Sequence, residues 1–142
     1  MMAASGDAVR ENGTTVLRLQ LERNNEAPAL ARAAVVGFCQ DRELSPSTIA
    51  TLTLLTSEVV TNAVIHPEVA PPGHIGLHVR ISHGTVRIEV SDAGSGFVPR
   101  PRDPDRLEGG YGLYLLDKAA NRWGVQNDPN TTVWFELPTR PA

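Results

Sequence analysis

Four stretches of this chain alternate apolar and polar residues with a period of two, and that alternation restricts the fold more than any other feature. Thr15, Leu17, Leu19 and Leu21 interleave with Val16, Arg18 and Gln20. Ile75, Leu77, Val79 and Ile81 interleave with Gly76, His78, Arg80 and Ser82. His83-Gly84 suits a tight hairpin turn, after which Val86, Ile88 and Val90 resume the pattern around Arg87 and Glu89. Thr132 to Leu137 repeats it, with Trp134 and Glu136 out of phase with the apolar set. Strands covered on both faces read as continuous apolar runs, so these strands have one covered face and one polar face. The expected fold is α+β, a two-layer sandwich with helices on one face of a mixed, mostly antiparallel sheet.

The covering helices are legible between the strands. Ala27 to Leu44 has helical periodicity, with Leu30, Ala33, Ala34, Gly37 and Phe38 on one face and Cys39 beside it as packing. Ser45-Pro46 is a helix start, an N-cap followed by proline at the first helical position. That helix should run to about His66, because Pro67 disfavours helical geometry in the residue before it. Ile49, Leu52, Leu55, Val59 and Ala63 form its apolar stripe. A short helix from Leu113 to about Ala120 and a strand from Arg122 to Val125 complete the pattern. With 142 residues, one domain over 14–142 is expected after a flexible N-terminus at 1–13.

Charge and composition remove several function classes. A net charge of −3 argues against broad phosphate-backbone binding, so no nucleic-acid partner is expected. The single Cys39 gives no internal disulfide, and neither a signal sequence nor a bilayer-spanning apolar run is visible. A cytoplasmic chain with no membrane partner is expected. Of 13 basic residues only Lys118 is lysine, and it lies outside both the P-loop and the protein-kinase strand contexts. A nucleotide enzyme built from this chain must use another architecture.

Three clusters carry chemistry. In EVVTNAVIH, Glu58, Asn62 and His66 recur at spacings of four and form a row on one helix side. Glu58 offers a proton acceptor, and the Asn62 oxygen suits a hard cation such as Mg²⁺. Plain helix-to-strand hydrogen bonding accounts for the same pair equally well. In DAGSGF, Asp92 ends a strand where a carboxylate can accept from an exocyclic amine such as adenine N6, though an ordinary turn uses the same residues. In GGYGL, glycine amides at a helix start form an anion site or merely a flexible turn.

Taken together and in this order, the clusters resemble the N box and the two glycine boxes of the GHKL ATPase superfamily. GGYGLYLLDKAANRWG and TTVWFEL are most similar to the bacterial anti-sigma-factor serine kinases. The resemblance spans roughly 15–138 and implies a Bergerat-type sandwich that binds ATP with Mg²⁺ beneath a lid at about 97–110. It implies Glu58 as general base and Asn62 as the magnesium ligand. It places Asp92 at the adenine amine, with Gly94 and Gly96 letting the base approach and His66 and Phe97 in the nucleotide site. Gly109, Gly110, Tyr111, Gly112 and Leu113 would line the phosphates, and Thr131 would lie near the adenine. Asn130 stands where that family has glycine, which leaves Thr131 and Thr132 as alternatives; Tyr111 stands where its nearest members often carry arginine.

The implied function is a serine/threonine protein kinase that phosphorylates an anti-anti-sigma-like antagonist domain and regulates transcription by partner switching. A sigma factor would be a second partner, and a homodimer is compatible with the chain. The alternative is an ATP-dependent anti-sigma binding module without phosphate transfer. A sensor histidine kinase fits poorly, because the residues before Ala27 read as polar coil and strand rather than a heptad helix.

Overall fold

The computed structural model describes residues 4–11, 14–40, 42–65, 73–92, 111–126 and 131–141. Among these residues six strands form a single sheet: β1 (Ala4–Glu11), β2 (Thr14–Glu22), β3 (His74–Ser82), β4 (Thr85–Asp92), β5 (Arg122–Gln126) and β6 (Thr132–Pro138). Their order across the sheet is β1-β2-β3-β4-β6-β5. Every pairing among the described residues is antiparallel, so the parallel component allowed by a mixed sheet is not seen there. Three helices, α1 (Ala27–Cys39), α2 (Pro46–Ile65) and α3 (Tyr111–Ala119), complete the α+β sandwich.

The alternation sorts the residues of β3, β4 and β6 as expected; in β2, Val16 is buried too, at 2% exposure and outside the core cluster, while Leu17 and Leu19 are partly buried. Ile75, Leu77 and Val79 of β3, Val86, Ile88 and Val90 of β4, and Val133 and Phe135 of β6 are fully or almost fully buried. They meet Leu52, Leu55, Val59 and Ala63 of α2 in one core, each large side chain contributing about 1.5–3 kcal/mol by leaving water. The opposite face carries Arg87, Glu89, Trp134 and Glu136 in a joined network. Arg87 donates to Glu89 and Glu136 at 2.8 and 2.9 Å and stacks over the Trp134 ring at 4.1 Å.

Sequence and structure part at two places. Residues 4–11 are expected to be a loose terminus, yet they pair with β2 from Ala4↔Leu21 to Glu11↔Thr14. ASGDAVRE has little apolar alternation of its own, and the outer edge of β2 offers the backbone partners. In α1 the buried positions are Ala27, Ala31, Val35, Phe38 and Cys39, while Ala33 and Gly37 are exposed. The expected face is rotated, because alanines on several sides of this helix blur the stripe. The helix also stops at Cys39, short of Leu44; Glu43 takes a positive φ of 58° as the chain turns back.

The start of α2 is fixed by the chain's far end. Ser45 Oγ accepts from the Thr48 amide at 3.1 Å, the N-cap read from Ser45-Pro46. The Ser45 amide donates to Thr139 O at 3.0 Å, and Thr48 Oγ1 donates to Pro138 O at 3.3 Å. Thr139 in turn donates to Gly84 O in the β3–β4 turn, where His83 and Gly84 both have positive φ. Helix α2 is thereby held against the end of the sheet, and its second half presents the candidate site.

Candidate functional site

Glu58 and Asn62 lie one turn apart in the second half of α2, both half-buried. They sit beside the buried stripe of Leu55, Val59 and Ala63, on the flank away from Ser57. No hydrogen bond or ion pair joins either side chain to another described residue. Helix-to-strand hydrogen bonding by this pair is therefore not seen among the described residues. His66, the third member of the row, lies outside the described residues.

The sheet brings two further candidates to one end. Asp92 is the last residue of β4, in register with Ile75 at the start of β3. Ser91 is in register with Thr132, which puts Thr131 at the same end of the sheet as Asp92. Thr131 is buried, at 5% exposure. Thr132 has the parity of Trp134 and Glu136, and its hydroxyl lies 2.9 Å from Ser91 Oγ on the polar face.

Helix α3 packs on α2 and begins at Tyr111, so Tyr111, Gly112 and Leu113 form its first turn. A helix start leaves backbone amides unpaired within the helix, which is the element an anion site requires. Gly94, Gly96, Phe97, Gly109 and Gly110 lie outside the described residues, as does the expected lid at about 97–110.

One contact on the other flank of α2 joins residues 25 apart. Arg32 of α1 donates to Ser57 Oγ at 2.7 Å, next to Glu58. No local spacing signals it, because it arises only when α1 packs on α2. Leu54, four residues before Glu58, is the most exposed of the large apolar side chains described, at 47%.

Residues 21–137 match the histidine kinase-like ATPase domain family. The chain belongs to that family. Among curated relatives of this histidine kinase-like ATPase domain, an anti-sigma F factor of Clostridium botulinum (strain Eklund 17B / Type B) is 32% identical over 110 residues, covering 71% of this chain and 77% of the relative. An anti-sigma F factor of Geobacillus stearothermophilus is 28% identical over 131 residues, covering 84% and 90%. The fold is also that of a crystal structure of the RsbU and RsbW domains of a Mycobacterium tuberculosis protein. There the TM-score is 0.65 at 22% identity over 89% of this chain, which spans 34% of the solved chain. The histidine kinase-like domain is thus of the GHKL, anti-sigma kinase-like type. Among the described residues no helix is long and apolar enough to cross a membrane.

Proposed function

We propose that this domain is an ATP-dependent serine/threonine kinase that phosphorylates an anti-anti-sigma-like protein and so releases or captures a sigma factor. The observation that carries it is the pair Glu58 and Asn62, one turn apart on α2 and joined to no other described side chain. Relatives named anti-sigma F factor supply the partner class.

The residues divide the work by their chemistry. Asn62 fits a magnesium ion that comes in with the triphosphate, since it offers a neutral, half-buried oxygen and magnesium needs only one or two protein ligands. That ion would supply charge screening to the phosphates. Asp92 would accept from the adenine amine, and buried Thr131 would bond beside it. The amides of Tyr111, Gly112 and Leu113, with Gly109 and Gly110 before them, would hold phosphate oxygens. His66, Gly94, Gly96 and Phe97 would complete the nucleotide site.

Glu58 would take the proton from the acceptor hydroxyl as the acceptor oxygen bonds to the γ-phosphorus. The bond from that phosphorus to its bridging oxygen breaks, and the electron pair leaves with ADP. A general base of this kind contributes roughly a hundredfold to ten-thousandfold in rate.

The test is transfer of labelled γ-phosphate to purified anti-anti-sigma-type domains, alongside calorimetric titration with ATP and GTP. The expected result is magnesium-assisted binding of ATP and not GTP, weakened by Asp92→Asn. Transfer should be abolished by Glu58→Gln while ATP binding is spared. ATP binding with no transfer to any such domain would favour the non-catalytic module; undiminished transfer by Glu58→Gln would remove Glu58 from the role of base.

A further inference from the structure

Leu54 stands one turn before Glu58 on α2, about 6 Å along the helix axis. It is 47% exposed, the most exposed of the large apolar side chains described. Scattered exposed leucines are ordinary, and exposure alone assigns nothing. Its position is the informative part. Around Glu58, the inner flank is taken by Val59 and Leu55 in the core, and Ser57 is engaged by Arg32. Ala50 and Leu54 continue the outer ridge of α2 toward its N-terminus as exposed apolar positions.

Resting on the kinase reading above, we infer that Leu54 is a specificity-determining residue for the protein acceptor. An acceptor segment that reaches Glu58 along the outer ridge of α2 passes over Leu54. Leu54 there selects an acceptor with an apolar side chain beside the phosphorylated residue and disfavours one with a carboxylate. Nucleotide binding does not need Leu54, because the nucleotide candidates lie at Asn62, Asp92, Thr131 and the start of α3.

The experiment compares wild type with Leu54→Glu, Leu54→Lys and Leu54→Met. Each anti-anti-sigma-type domain encoded in the same genome is purified and assayed for phosphorylation, and its binding is measured by calorimetry with ADP present. ATP affinity and far-ultraviolet dichroism establish that each variant is folded. The expected result is a rise of tenfold or more in the acceptor KM or Kd for both charged variants, with Leu54→Met restoring it to within about twofold. An unchanged acceptor KM in Leu54→Glu would overturn the inference and leave the kinase reading standing. Binding without phosphorylation, weakened by the charged variants, would remove the kinase reading and keep Leu54 as a partner contact. No binding of any such domain by wild type would overturn both.

Discussion

Ser91 Oγ and Thr132 Oγ1 lie 2.9 Å apart on the polar face of the sheet, and this pairing sets Thr132 apart from Thr131 in its surroundings. Successive strand residues point to opposite faces, so a threonine bonded on the polar side leaves its neighbour to the helix-covered side. Thr131 is accordingly buried. Thr131→Val should weaken ATP binding about fivefold, the worth of one hydrogen bond near 1 kcal/mol. Thr132→Val should leave it within about twofold while lowering stability slightly through the lost Ser91 bond. Calorimetric titration with ATP checks both, and a larger loss in Thr132→Val would reverse the assignment.

A second relationship on the same face explains a glycine. Gly124 of β5 is in register with Trp134 of β6, and a Cβ at position 124 would lie 2.8 Å from the indole nitrogen. The indole lies across the bare backbone, held from above by Arg87 at 4.1 Å. Gly124→Ala should therefore cost about 1–3 kcal/mol by displacing the ring. In a Trp134→Ala background the same change should cost much less, since the obstacle is gone. Urea unfolding of the four proteins in this cycle measures the coupling.

Thr56 of α2 is fully buried, and its hydroxyl has no hydrogen-bond partner among the described residues. A buried hydroxyl left unpaired costs about 1–3 kcal/mol relative to an apolar isostere. Thr56→Val keeps the shape and removes that cost, so the midpoint of urea unfolding should rise by the equivalent of about 1 kcal/mol with an unchanged slope. A lower midpoint would mean that the hydroxyl is satisfied in solution by a group such as water.

Much of this fold was legible because the signals were local. The period-two alternation gave β2, β3, β4 and β6 and their faces, His83-Gly84 gave the hairpin, and Ser45-Pro46 gave the start of α2. Strand β1 was not legible, because its pairing comes from the neighbouring edge and not from its own side chains. The buried face of α1 was legible in part: Leu30, Ala34 and Phe38 pack on the core as expected, whereas Ala33 and Gly37 are exposed and only packing picks out Ala31 and Val35. At the site, the Glu58–Asn62 row follows from spacing alone. The polar-face position of Thr132 was also present in the sequence, since Thr132 shares the parity of Trp134 and Glu136. Arg32 beside Ser57 was beyond reach, being a contact between helices 25 residues apart.

His78 makes stability depend on pH. It sits on the polar face between Arg18 of β2 and Glu89 of β4, its register neighbours, with Glu89 Oε1 at 3.9 Å from Nδ1. Burial lowers its pKa below the usual 6.5, Glu89 opposes the shift, and Arg18 and Arg80 add to it. The unfolded chain therefore takes up a proton at this residue at higher pH than the folded one. Between the ordinary value of 6.5 and the lower folded value, the unfolded state binds more protons, and stability falls as pH falls through that window. Above the window both states are neutral at this position and the contribution is flat. His78→Gln should remove this part of the acid sensitivity. Unfolding free energy measured at steps from pH 7.5 to 5 should decline less steeply in the variant than in wild type. Parallel curves for the two proteins would show that His78 titrates alike in both states.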